Sequence, residues 1–144
     1  MFARHISRFN IKFARQLAAL VLVLLSGCAA MPGGGGGSVG DRAQQRWDAL
    51  LAGNVKKAYG FLSPGYRSKE TLEEYQRKIV YQRVRWTSAD YIESDCSENT
   101  CKVQINVGYK VAGALPGVKV YVGKRMVTEN WIETEGRWWY VPNK

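Results

Sequence analysis

The spacing of apolar residues changes once along this chain. From Asp41 to Ile79 they recur every three or four positions. Ala43, Trp47, Leu50 and Leu51 share one helical face, Val55, Ala58, Tyr59 and Leu62 a second, and Leu72, Tyr75 and Ile79 a third. Asp41 followed by Gln44 reads as a capping box, Gly53 as a stop, and Asn54 as the next cap. Ser63-Pro64-Gly65 reads as a second stop, and Thr71 with Glu74 as another capping box. Beyond Trp86 the period is two. Trp86 to Asp95 predicts a strand. Cys101 to Val111 predicts a second, because Val103, Ile105, Val107, Tyr109 and Val111 alternate with polar residues or glycine. Ala112 to Gly117 reads as a loop and Val118 to Val122 as a short strand or hairpin arm. Residues 125–134 read as a longer strand, Glu135-Gly136 as a two-residue turn, and Arg137 to Val141 as the last strand. This order predicts an α+β fold, with three N-terminal helices packed on one face of an antiparallel sheet of four to five strands.

One apolar run belongs to neither pattern. Leu17 to Leu25 is nine residues without a polar break. Arg4, Arg8, Lys12 and Arg15 precede it, and no acidic residue occurs in 1–27. A basic start, a short apolar middle and small residues after it are the layout of an export signal. As a helix the run spans about 14 Å, too little for a hydrocarbon core of about 30 Å.

The run ends in Leu25-Ser26-Gly27-Cys28, which resembles the lipobox of bacterial lipoproteins. The resemblance implies cleavage between Gly27 and Cys28, a covalent diacylglycerol on the Cys28 sulfur and an N-acyl lipid on its new amino group. No other cofactor is expected. Two or more acyl chains give stable membrane anchoring where one gives marginal binding. Residue 29 is Ala rather than the Asp that resembles an inner-membrane retention signal, so the expected location is the cell envelope, at the outer membrane facing the periplasm.

This division changes what the composition means. The chain has 144 residues and a net charge of +9. Four of its 21 basic residues lie in the signal, leaving 17 basic and 12 acidic residues from Cys28 onward, a net of +5. An exported domain with that mild excess, and with no base-reading motif, is not expected to bind nucleic acid. Residues 28–40, with five consecutive glycines, read as a lipidated Cys and a flexible tether, and 41–144 as the single folded domain.

Within 42–142 the chain resembles the nuclear transport factor 2-like superfamily, whose curved sheet and helices are also described as a cystatin-like cone. The resemblance rests on Arg46-Trp47-Asp48-Ala49-Leu50-Leu51-Ala52-Gly53-Asn54, on Leu62-Ser63-Pro64 and Tyr66-Arg67, and on the hairpin from Trp131 to Val141. The superfamily hosts enzymes, binding proteins and dimerisation modules, so the fold selects no function. Its ketosteroid isomerase-like branch implies acid–base chemistry inside the cone, for which Asp90, Glu129, Tyr59 and Tyr109 are the residue types available.

Candidate chemistry is sparse. Cys96 and Cys101 bracket a predicted hairpin tip, and in an oxidising compartment they predict a disulfide. The only His, His5, lies in the signal, which leaves no base for a hydrolytic triad and no partner for a two-Cys metal site. No catalytic and no metal-binding residue is expected. Alternation across the Glu135-Gly136 turn puts Trp131, Trp138 and Tyr140 on one side of the sheet and Ile132, Trp139 and Val141 on the other. The first set is either a pocket, homodimer or partner surface, or a core covered by the 112–124 segment. Tyr59 and Tyr109 join it as possible pocket residues. The function expected is a non-catalytic ligand- or partner-binding, assembly-accessory domain in the envelope. A small acid–base enzyme and a structural dimer at the membrane surface are the alternatives.

Overall fold

The computed structural model describes residues 37–115 and 117–143. The expected signal, its cleavage site at Gly27 and the lipidated Cys28 lie outside the described residues. Gly35–Lys144 forms one compact unit. Helix α1 spans Val39–Leu51, α2 Val55–Tyr59, α3 Pro64–Arg67 and α4 Leu72–Val80. Strands β1 (Val84–Ser97), β2 (Thr100–Leu115), β3 (Val118–Thr134) and β4 (Arg137–Val141) form one antiparallel sheet in the order β1-β2-β3-β4.

The expected architecture needs correction. Among the described residues four short helices are present rather than three, and the bulk is a four-stranded sheet of long strands. Two local causes account for the difference. Ser63-Pro64 is a start as well as a stop, since the Ser63 hydroxyl accepts from the Tyr66 amide and Pro64 sits where the missing N–H costs nothing. The supposed loop and arm at 112–122 continue the β2–β3 ladder, which runs on through Ala112↔Val120 to Leu115↔Val118.

Helix starts follow side-chain acceptors. Thr71 caps α4 with the reciprocal Glu74 bond that the spacing predicts. At α1 the capping box forms three residues earlier, between Ser38 and Asp41, so Asp41 lies inside the helix. Gln44 is thereby free for other work. Its amide oxygen accepts from the Tyr91 amide at 2.8 Å, and its nitrogen donates to the Ala89 carbonyl at 2.9 Å. The side chain thus satisfies two backbone groups on the free edge of β1, next to a register shift between Tyr91 and Glu93. Close approach of helix and strand also depends on Gly40, where a Cβ would fall 2.8 Å from the Tyr91 ring.

The opposite edge is covered too. Tyr140 of β4 donates its amide to Phe61 and accepts from the Ser63 amide, at 2.8 and 2.9 Å, a parallel bridge that guards the short last strand. The Glu135-Gly136 turn takes positive φ at both residues, 54° and 69°, as a hairpin of right-handed twist requires.

The core lies between α1 and one face of the sheet. Ala43, Trp47 and Leu50 meet Val103, Ile105, Val107 and Trp131, all buried. Trp131 is opposite Cys101 and Tyr140, so it shares the face of the core valines. The helical layer covers it. The 112–124 segment extends the sheet elsewhere and plays no part in covering it.

Candidate functional site

Two charges stand inside this core, and both come from positions that their elements turn inward. Arg46 is three residues from Ala43 and four from Leu50 on α1. Glu129 lies opposite Val103 on β3. They meet at 2.6 Å, with Glu129 only 1% exposed. The carboxylate also accepts from the Trp47 indole at 2.8 Å through Oε1 and from the Trp131 indole at 3.0 Å through Oε2. The guanidinium carbon sits 3.9 Å from the Tyr140 ring centroid. Burial disfavours the Arg46 charge, but Glu129, followed by Tyr75 and Tyr140, outweighs it and raises the pKa further above its ordinary value. With one guanidinium and two indoles donating to it, Glu129 is held as a buried acceptor.

Above this pair opens a cleft of about 240 Å³ between α1, α4 and the sheet. Arg46, Glu70, Tyr75, Lys78, Gln82 and Arg125 supply its polar lining. Three buried atoms of these residues lack a hydrogen-bond partner: Arg46 Nε, Glu70 Oε1 and the Tyr75 hydroxyl. Such orphans are rare in folded proteins, because each carries the cost of its lost water. The other oxygen of Glu70 is well satisfied. It accepts from Tyr66 at 2.6 Å and from Lys78 at 2.7 Å. Burial works against the Glu70 carboxylate, but Lys78 and Tyr66 prevail and hold its pKa below the usual carboxylate range.

Two tyrosines beside the cleft are pushed the other way, both to about 12. Burial is the leading cause for each. The Glu70 carboxylate adds to it at Tyr66, and Glu129 adds to it at Tyr140 against the opposing Arg46. A raised folded-state pKa stabilises the neutral form, so this contribution is complete below the ordinary pKa of 10.0 and is lost as the pH rises towards 12. An ultraviolet titration should show a late-ionising tyrosine fraction near pH 12, which Tyr66→Phe and Tyr140→Phe each reduce. A late fraction indifferent to both substitutions would contradict the assignment.

The structure scatters the sequence-derived candidates. Glu129 lines the cleft, whereas Tyr109 lines a separate cavity of about 120 Å³ with Trp86 and Arg125. Tyr59 donates to the Glu70 carbonyl at 2.7 Å and braces the α2–α4 region. Asp90 is exposed on β1. The four acid–base candidates therefore do not converge. Trp138 and Tyr140 are half-buried against the core. Cys96 and Cys101 face each other across the β1–β2 hairpin, joined as a disulfide. Among the described residues no cluster of three or more metal-ligating side chains occurs, and no helix is long and apolar enough to cross a membrane.

Sequence reasoning missed Arg46, Tyr75, Lys78 and Arg125 as members of one site. A signal for Arg46 existed, since a cation within the apolar stripe of a helix must find a buried partner.

No family model and no curated protein sequence matches the chain. Solved structures do. A SEC-C motif containing protein from Rhodopseudomonas palustris aligns at a TM-score of 0.55 and 10% identity, covering 70% of this chain and 73% of that one. A second SEC-C motif containing protein, from Psychrobacter arcticus, aligns at 0.48 and 9% identity, covering 70% and 56%. The former likeness is one of fold. The Rhodopseudomonas palustris fold overturns the expected membership of the nuclear transport factor 2-like superfamily and its cystatin-like cone. The motifs behind that expectation are caps, stops and a hairpin, which specify elements and leave their assembly open.

Proposed function

We propose that this is a lipid-anchored envelope protein whose domain binds a ligand or protein partner without catalysing a reaction. The observation that carries the binding reading is the cleft with its three unpartnered buried atoms. Tyr75 lies close enough to support the Arg46 guanidinium charge, and with Glu70 these residues form a polar floor beneath the cleft that suits a small group able to both give and take hydrogen bonds. The three donors that hold Glu129 and the dispersal of the other carboxylate and tyrosines argue for binding over acid–base turnover. The anchor reading rests on the sequence around Cys28.

Native mass spectrometry of protein extracted gently from its own membrane tests the cleft. A bound small molecule or co-purifying envelope protein is expected, and Tyr75→Phe should weaken its retention several-fold while leaving the fold intact. Recovery of bare protein, or retention indifferent to Tyr75, would reject the cleft as the site. The anchor has its own test. Cys28→Ala should move the protein from the membrane to the soluble fraction, and the wild type should carry acyl mass. Membrane retention without acyl mass would remove the anchor.

A further inference from the structure

Among the described residues no helix covers the sheet face turned away from α1, and the character of that face changes along its length. Near the β1–β2 turn it carries mixed charge, with Asp95 opposite Lys102. Towards the far end of the β2–β3 hairpin the acids disappear. Of the basic residues on β2 and β3, Lys102, Lys110 and Lys124 face this side, and the β1 acids Asp90, Glu93 and Asp95 end at the row of Asn106. Register sets Arg85, Lys110 and Val122 in one cross-strand row, with Lys124 opposite Gly108 and Met126 opposite Asn106 on the same side. Val120, Val122 and Met126 are 49%, 68% and 51% exposed. Arg85, Lys110 and Lys124 thus border the exposed Val120 and Val122, while Asp90 closes the row of Met126.

We propose that this face docks the domain onto an anionic phospholipid bilayer. The chemistry has two parts, as interfacial binding requires: apolar side chains that enter the headgroup boundary, and cations that meet lipid phosphates. Charge complementarity selects the occupant. A second copy packed with its basic end over this one would bring Arg85, Lys110 and Lys124 against the same cations. A bilayer rich in phosphatidylglycerol supplies the opposite charge and accepts Val120, Val122 and Met126 without a matching pocket. Each well-placed cation strengthens such binding by about fivefold at moderate ionic strength. The inference rests on the anchored reading for its setting. The face itself is argued from register, exposure and charge.

The test uses the full-length chain with Val122→Cys carrying an environment-sensitive fluorophore. Glu73→Cys on exposed α4 is the control position, and Cys28→Ala in both leaves one free thiol. On vesicles containing phosphatidylglycerol the label at 122 should brighten several-fold and shift to the blue. It should change little on phosphatidylcholine vesicles, and the label at 73 should stay unchanged on both. Arg85→Glu with Lys110→Glu should abolish the response, and so should about 0.5 M salt, where the Debye length falls to a few ångströms. No response at 122, or an equal response on both lipids, overturns the proposal. A lipid-free response that grows with protein concentration also overturns it and assigns the face to self-association. Acyl mass on wild-type Cys28 is read separately, so loss of the anchor and loss of the docking face give different results.

Discussion

Arg46→Met is expected to destabilise the domain by about 3–5 kcal/mol, one of the two largest effects of any single substitution considered. Methionine keeps much of the buried stem but leaves Glu129, 1% exposed, with two indole donors and no countercharge. The cost is that of an uncompensated buried carboxylate rather than of a lost attraction. The double variant Arg46→Met/Glu129→Gln should recover a large part of the loss. A neutral amide oxygen still accepts from an indole and no charge then lies buried. Urea denaturation of the wild type and the three variants measures this as a cycle. A shift below about 1 kcal/mol for Arg46→Met would mean that water reaches the pair.

The second large effect is expected at Trp131. Its side chain is fully buried, packs against Tyr140 at a centroid distance of 5.7 Å and donates to Glu129. Trp131→Ala should cost about 3–5 kcal/mol through the cavity alone, with the lost donor adding to it. Trp138→Ala, at a half-buried position two residues into β4, should cost less than about 2 kcal/mol. The contrast is informative because alternation places both tryptophans on one side of the sheet. Equal losses at both would require that Trp138 is covered as fully as Trp131. A small loss at Trp131 would remove it from the core.

Much of the local structure was legible in the residues. The change from helical to alternating spacing near residue 80 marks the passage from α4 to β1. Thr71 and Glu74 mark the start of α4, and Glu135-Gly136 sets the register that pairs Trp131 with Tyr140. These features depend on neighbours a few positions apart, where backbone geometry leaves few choices. Legibility ended where a residue had two comparable local options. Ser38 and Asp41 both suit an N-cap. Gln44 suits a capping box as well as a strand edge, and contact with β1 settled its role.

The cleft was not legible, because its parts come from distant stretches. Arg46 and Glu129 are 83 positions apart, and neither shows in its own segment which charge it will meet. Long-range pairing also decided the fate of the aromatic hairpin. Trp131 lies under the helical layer because β3 pairs with β2 in one particular register, and a shift of one residue would turn it to solvent.

By itself, then, the sequence determined where α4 starts, where the period changes, which residues share a strand face and which turn closes the last hairpin. All of these follow from steric and hydrogen-bonding rules acting over a few residues. Only the tertiary structure decided that residues 112–122 extend the sheet. It alone brought Arg46, Glu70 and Tyr75 to one cleft with unpartnered atoms, and it left one sheet face basic and uncovered. Those outcomes depend on burial and charge pairing between segments far apart in the chain, and such energies exist only once the chain has closed on itself.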